Sequence, residues 1–488
     1  MMTVVASAAG MLMLLRGAAA GLPTPSDYAF FSRAVVASHA EGHANRWPRV
    51  VALPDGRALL VWVRGRPGED DAIVAACSFD SGCAWGPPQL VLADAGRVVS
   101  APGVEASGSD VLVTCTTARA GDRDATTWRV RSTDSGASWS APAEGPANPA
   151  AAHDDGPAAS AGFEVDGRRG ILALWDKGAE RLPLCAAASF DDARTWTAAK
   201  DVAPAGSARR PSCPSCTQAL DGALLTVWQE DGPDGSDIGM ARFSLAWLLH
   251  EEPAGVDKAE PATPTAPATA TASCTLVLFG SSTTAPRGPL RIFGQLLEEE
   301  LPGLGVQARV VNAGVGGNTT AMARERFERD VLTQNPDVVT VYLGINDSAV
   351  DVWRGEMEPR VTIEQYEANL RYFVTTLRER GAKAILLTPN PLAWAVHTKQ
   401  AYGKPPYDAA DPDGFNLWLK EYAPVVRRIA ADEGVPLVDV YSLFRQYGET
   451  RPMTDLLLDG MHPNDLGHRL IADALLAIIP GLVLNDSM

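Results

Sequence analysis

The sequence predicts a multidomain protein: an all-β propeller in its first half and a doubly wound α/β domain with a parallel sheet in its second. Three observations carry this. A unit of the form Ser-x-Asp-x-Gly-x-x-Trp recurs, with Asp80, Asp134 and Asp191 spaced 54 and then 57 residues apart, and a period of that length holding several strands reads as a propeller. Residues 251–273 are rich in Pro, Ala and Thr with few large apolar side chains, a composition that favours an extended spacer. Beyond them, short apolar runs alternate with helical spacing, as in parallel strands joined by helices.

At 488 residues the chain is longer than one typical domain. Its 46% hydrophobic and 21% charged residues are those of an ordinary soluble protein and suffice for sizeable cores. A net charge of −17 without any Lys/Arg cluster argues against a nucleic-acid partner, which needs a basic face. Residues 1–22 are expected to be a signal segment, because an apolar run from Val4 to Leu15 is followed by small residues with a cleavage point after Ala20. No Lys or Arg precedes that run and Arg16 follows it, so a cytoplasmic chain is the alternative to a secreted or extracytoplasmic one. The run is too short for a stable membrane span. Among the seven cysteines, Cys213-Pro-Ser-Cys216 has the spacing of a local disulfide or of two free buried thiols.

The first domain is expected over residues 28–250. Its repeated units read CSFDSGCAW, RSTDSGASW and ASFDDARTW, the last with Ala193 in the glycine position. A second unit, an Asp-Gly turn leading into an apolar run, ends at Trp62, Trp175 and Trp228, with a weaker copy ending at Cys115; this is a strand signal. The Ser-x-Asp-x-Gly-x-x-Trp units resemble the Asp boxes of sialidases and other BNR-repeat proteins. The resemblance implies a sialidase-like β-propeller in which each box Asp hydrogen-bonds its own hairpin and each Trp packs between blades. Sialidases also use an arginine triad, an acid/base Asp and a Tyr–Glu nucleophile. Arg49 sits where the first triad arginine would and is a candidate for binding an anionic sugar. No tyrosine occurs between Tyr28 and Tyr342, so the expectation is an inactive propeller that binds or positions a glycan.

After the 251–273 linker, the second domain is expected over 274–488. Strands are expected at 275–279, 308–312, 337–343, 384–389 and 435–440, and helices at 289–301, 320–333, 362–380, 415–433 and 465–479. Five parallel strands with right-handed crossovers place their carboxyl-end turns on one edge, where such sheets bind ligands. The long connection 390–414 suggests a lid or specificity wall; Trp394, His397, Tyr402 and Tyr407 are candidates to line the substrate pocket or, equally, to pack the loop onto its domain.

The stretch Leu276–Arg287, LVLFGSSTTAPR, predicts a strand, a sharp turn at Gly280 and then a helix, which lifts a serine above the sheet edge. Three more stretches accompany it: VVNAGVGGNTT at 310–320, VYLGINDS at 341–348 and LLLDGMHPND at 456–465. In order and spacing the four resemble the blocks of the SGNH, or GDSL, hydrolase family. Ser281 departs from that family's pattern, which has an aspartate there. The resemblance implies a flavodoxin-like fold in which Ser282 is the nucleophile, His462 the general base and Asp459 the residue that orients it. The oxyanion hole would be the backbone N–H groups of Ser282 and Gly317 and the side-chain amide of Asn346. The chemistry agrees: a serine hydroxyl needs a neutral imidazole to take its proton, a carboxylate to fix that imidazole, and neutral donors where charge builds on the carbonyl oxygen.

The expected function is that of a serine esterase removing a small acyl group, most plausibly acetyl, from a carbohydrate or another small ester. No metal or organic cofactor is implied. Two alternatives stay open: a sialidase-type glycosidase acting through the propeller, and a non-catalytic glycan-binding protein.

Overall fold

The computed structural model describes residues 29–39, 44–65, 71–93, 98–99, 102–118, 125–145, 158–165, 167–176, 183–203, 209–249 and 272–484. The expected signal segment and the spacer up to residue 271 lie outside them.

The first strand, β1 (Phe31–Ala37), stands apart from its sequence neighbours. Strands β2 (Ala44–Ala52), β3 (Ala58–Gly65), β4 (Ala72–Ser78) and β5 (Gln89–Ala93) form one antiparallel sheet. A second comprises β6 (Val98–Val99), β7 (Gly103–Ser107), β8 (Asp110–Ala118), β9 (Ala125–Ser132) and β10 (Ala143–Glu144). A third comprises β11 (Ala158–Val165), β12 (Arg168–Asp176), β13 (Leu184–Ser189) and β14 (Lys200–Ala203). The fourth is built from β15 (Arg210–Gln218), β16 (Leu224–Gly232) and β17 (Gly235–Phe243), with β1 pairing antiparallel to β17.

Each repeated box is a turn held by its own side chains. In the first, the Ser78 hydroxyl donates to Asp80 Oδ1 (3.0 Å) and accepts from the Gly82 amide (2.8 Å), while Asp80 Oδ1 accepts from the Ala84 amide (2.7 Å). Ser132 with Asp134, and Ser189 with Asp191, repeat this pattern. In the second and third boxes a hydroxyl, Ser138 or Thr195, also donates to the outer carboxylate oxygen. The first box has Ala84 there, and that oxygen instead accepts from Arg287, at 2.9 Å.

Trp85 packs between the first and fourth sheets and Trp139 between the second and first. Trp196 departs from the expected packing and is 42% exposed. It would have to reach the second sheet, and no apolar cluster among the described residues joins the second and third sheets.

In the C-terminal domain β18 (Ala272–Gly280), β19 (Val306–Gly314), β20 (Val338–Tyr342), β21 (Lys383–Leu387) and β22 (Leu437–Val438) lie parallel in the order β19-β18-β20-β21-β22. β18 starts three residues before its apolar run because Ala272 and Ser273 pair with Val306 and Gln307. β22 is shorter than expected: Asp439 turns out of the strand to cap the next helix, accepting from the Ser442 amide.

The α-helices of this domain are α1 (Phe293–Glu300), α2 (Thr320–Asp330), α3 (Ile363–Glu379), α4 (Val396–Tyr402), α5 (Leu419–Glu433), α6 (Val440–Gly448), α7 (Asp465–Leu476) and the short α8 (Ile479–Leu484). Alternation along β18 sends Leu276 and Leu278 to the face covered by α1 and α7, and Val277 and Phe279 to the face covered by α2, α3 and α5. Two differences from the sequence pattern stand out. The 390–414 connection contains α4, and α6 was not foreseen.

The two regions meet at Arg242 on β17. Its guanidinium is 0% exposed and donates to Asp221 at the β15–β16 turn and to Asp465, the first residue of α7. Its Nε donates to the Ser81 carbonyl (3.2 Å), and its cation lies 4.9 Å from the centre of the Phe30 ring. Burial alone would lower its pKa; the two carboxylates outweigh that and hold it above the ordinary arginine value. Beside it, Cys83 of the first box packs with Leu290, Ile292 and Leu458.

Two outcomes follow from this packing. Replacing Arg242 by Ala leaves two buried carboxylates without their cation and is expected to cost about 3–5 kcal/mol in equilibrium urea unfolding; a loss under about 1 kcal/mol would remove the ion cluster from its structural role. Ala193 holds a left-handed conformation, φ 64°, which costs an L-residue roughly 1–2 kcal/mol. Part of that is offset by the lower chain entropy of alanine, so Ala193→Gly should raise stability by about 0.5–1 kcal/mol in the same measurement.

Candidate active site

Three parallel strands deliver their turns to one edge. Ser282 follows β18, Gly317 follows β19 and Asn346 follows β20. The turn after β18 is tight because a Cβ at Gly280 would lie 2.1 Å from Thr284 Oγ1 and 2.8 Å from the Tyr342 carbonyl oxygen. Glycine is needed here for close approach rather than for a left-handed φ. The amides of Thr284 and Ala285 then close the turn on the Ser281 carbonyl, at 3.1 and 3.0 Å.

Ser282 Oγ is 3.0 Å from His462 Nε2, and His462 Nδ1 is 2.7 Å from Asp459 Oδ2. The second Asp459 oxygen accepts from the amides of Met461 (2.9 Å) and His462 (2.8 Å). Burial alone would raise the Asp459 pKa; the adjacent His462 and these hydrogen bonds outweigh it and hold the carboxyl well below the usual range. Nδ1 of His462 is therefore the donor to Asp459, which leaves Nε2 to accept from the serine hydroxyl. A hydroxyl so placed can lose its proton to the imidazole as it attacks a carbonyl carbon.

The other two loops close around this line. A Cβ on Gly316 would sit 4.0 Å from Ser282 Cβ, and Gly317 takes φ 76°. Asn346 Nδ2 spends one hydrogen on the Asn318 carbonyl, at 3.1 Å, which ties it beside Gly317.

Arg326 of α2 is a residue the sequence pattern did not single out. It is buried against the Phe279 ring and donates to the carbonyls of Gly280 (2.9 Å) and Ala313 (2.8 Å) and to Asn318 Oδ1 (2.6 Å). One guanidinium thus fixes the ends of β18 and β19 and the loop carrying Gly317. Ser281 is buried, and among the described residues its hydroxyl has only a long contact to the Thr283 hydroxyl, 3.4 Å.

Asp347 braces the third loop. Its Oδ1 accepts from the Thr320 amide (2.8 Å) and hydroxyl (2.5 Å), while Oδ2 is buried and has no hydrogen-bond partner among the described residues. Burial raises its pKa to about 6, against the lowering effect of Thr320.

The 390–414 segment distributes its candidates unevenly. Trp394 stacks on Phe415 with centroids 4.4 Å apart and donates to the Asp411 carbonyl; Tyr402 and Tyr407 join the same apolar cluster. Tyr407 is buried, its hydroxyl accepting from the Val350 amide, so it packs the loop rather than lining a pocket. His397 is not part of that cluster; its ring meets Phe79 of the N-terminal region edge-on, with centroids 6.0 Å apart. The Ala393 amide donates to the Gly460 carbonyl (2.8 Å), which holds this segment against the Asp459–His462 turn. Burial lowers the His397 pKa, with Asp459, Asp55, Arg57 and His462 as its charged neighbours.

Arg49 is not brought to the serine. It lies within β2 opposite Val61 and donates to the Pro48 carbonyl, about 13 Å along the strand from the 53–57 turn. That turn is what approaches the site, through Arg57. Cys216 is a buried free thiol, its pKa pushed up to about 12 by burial, so the Cys213-Pro-Ser-Cys216 segment carries no disulfide.

Residues 278–470 match the model of the GDSL-like lipase/acylhydrolase family. An acetylxylan esterase of Geobacillus stearothermophilus is 32% identical over 186 residues, 37% of this chain and 75% of that one. The chain belongs to the GDSL-like lipase/acylhydrolase family. It is a carboxylic ester hydrolase. A Bacillus subtilis protein named an uncharacterized lipoprotein is 31% identical over 176 residues, 34% of this chain and 71% of that one. A crystal structure of an acetylxylan esterase from Geobacillus stearothermophilus aligns at 28% identity and a TM-score of 0.34, covering 43% of this chain and 94% of that one.

The buried Asp347 of this GDSL-like hydrolase makes a pH prediction. Its folded pKa of about 6 lies above the ordinary 3.8, so the native state holds the proton more tightly than the unfolded chain. Its contribution is therefore greatest below pH 4 and is lost as pH rises toward 6, by about 3 kcal/mol. Asp347→Asn should flatten that part of the pH dependence, measured as the difference between variant and wild-type urea unfolding at pH 4 to 7. Parallel profiles for the two proteins would contradict it.

Proposed function

We propose that this chain removes acetyl groups from a carbohydrate by a serine mechanism. Ser282 is the nucleophile, His462 the general base and Asp459 the residue that fixes the imidazole. The observation that carries the reading is the continuous line from Asp459 through His462 to Ser282, with contacts of 2.7 and 3.0 Å.

As Ser282 Oγ bonds to the acetyl carbon, its proton passes to His462 Nε2 and negative charge collects on the carbonyl oxygen. The amides of Ser282 and Gly317 and the free hydrogen of Asn346 receive that charge. Collapse breaks the C–O bond to the sugar, which leaves with the proton from the imidazolium. Water then repeats the sequence on the acetyl-enzyme and releases acetate. The name of the acetylxylan esterase relative supports an acetylated sugar as substrate.

The four N-terminal sheets are read as the blades of a small propeller spanning residues 28–250, joined through 251–273 to the hydrolase of 274–488. The pairing of β1 with β17, which puts the first strand into the last sheet, supports that reading. This propeller has no catalytic role of its own and positions the substrate. An extracytoplasmic location suits a polysaccharide substrate, and one relative is named a lipoprotein.

Ser282→Ala is expected to abolish release of acetate from acetylated xylan and of nitrophenol from p-nitrophenyl acetate. Asn346→Ala should lower kcat about a hundredfold or more, the usual effect of losing one oxyanion donor. Undiminished turnover in Ser282→Ala would end the proposal.

A further inference from the structure

The first Asp box comes to the rim of the serine site. Asp80 accepts from Arg287, five residues beyond Ser282, and the Ser81 hydroxyl contacts the carbonyl of Leu458, next to Asp459. Between these anchors and the 390–414 segment stands Phe79. Its ring meets His397 edge-on, with centroids 6.0 Å apart, and is 48% exposed.

The ring is also held from its own side. The Arg57 guanidinium lies 5.5 Å from its centre. Arg57 is in turn paired with Asp55, through Nε at 2.9 Å and Nη2 at 2.5 Å, and donates to the Asp134 carbonyl at 3.3 Å. The cation is thus matched by a carboxylate.

The equivalent residue of the third box makes the contrast. Phe190 packs edge-on against Phe163 of its own sheet, at 5.8 Å. Phe79 instead has His397 of the hydrolase as its aromatic neighbour. A half-exposed aromatic set between Arg57 and His397 offers a large contact area at little cost in side-chain entropy. The apolar C–H face of a pyranose ring matches such a surface.

We propose that Phe79, supplied by the N-terminal region, is a substrate-binding residue of the esterase. It stacks a neutral sugar ring adjacent to the one whose acetyl group lies over Ser282. The inference rests on the esterase reading above and extends it, because it assigns part of the hydrolase subsite to a different sheet system of the same chain. It also selects a substrate class: neutral acetylated oligosaccharides of two or more rings over acetylated monosaccharides and simple alkyl esters.

The test compares the full chain on acetylated xylotetraose and on p-nitrophenyl acetate, read as the ratio of the two kcat/KM values. Phe79→Ala should lower that ratio about tenfold through KM for the oligosaccharide, as expected for loss of one stacking contact, and Phe79→Trp should restore it. Phe190→Ala, at the same box position but packed on Phe163 and Arg168 of its own sheet, should leave it at the wild-type value. A ratio unchanged within about twofold in Phe79→Ala would overturn the inference and leave the esterase reading intact; a wild-type enzyme that cleaves the nitrophenyl ester but no acetylated oligosaccharide would overturn the inference together with the carbohydrate substrate, and leave only the serine esterase chemistry. Hydrolysis of both substrates by Ser282→Ala would instead remove the esterase reading itself, and with it the inference.

Discussion

A guanidinium with no access to water must be matched by carboxylates, and Arg242 finds them on both sides of a junction. Asp221 comes from the N-terminal sheets and Asp465 from the hydrolase. Separating the two regions would leave the charges either hydrated at the expense of the surrounding apolar contacts or buried alone, and an unpaired buried charge is among the most costly groups a protein can hold. The orientation of the two regions is set by this cluster together with the Cys83, Leu290, Ile292 and Leu458 contact.

The cluster also reaches the chemistry. Asp465 is the first residue of α7, three positions after His462, and its other oxygen accepts from the Arg291 amide ahead of α1. The proposed base therefore sits on a turn whose far end is bolted to the N-terminal region, while the proposed nucleophile sits on a turn whose far end, at Arg287, is held by Asp80. Both segments that must stay within 3 Å of each other are braced from outside the hydrolase sheet. That bracing and the Arg326 guanidinium give the serine turn its support where Ser281 offers little.

Much of the hydrolase could be read from the chain because its determinants are local. Apolar runs ending in Gly280, Gly314 and Leu343 mark strands that turn at one edge, and the Asp459-x-x-His462 spacing lets one short turn carry both groups. The helix spans matched to within a few residues for the same reason. The misses were non-local. Arg326 looks like any arginine on an amphipathic helix until its three acceptors, the Gly280 and Ala313 carbonyls at the ends of β18 and β19 and the Asn318 side chain in the loop beyond, are brought around it. For Tyr407 and Trp394 the sequence left pocket lining and loop packing equally open, because composition cannot tell a loop's own core from a ligand surface; their cluster with Phe415 is the loop's own core.

The sequence alone determined the order of the parts, the strand–turn–helix units and the residue types that meet at the serine, since each depends on periodicity or on spacing within a single turn. Only the tertiary structure decided that the first box docks on the hydrolase. That outcome follows from Ala84 standing where the other boxes carry a hydroxyl: one oxygen of Asp80 is left for Arg287, a partner some two hundred residues away, and no local pattern records a hydrogen bond between side chains so distant along the chain.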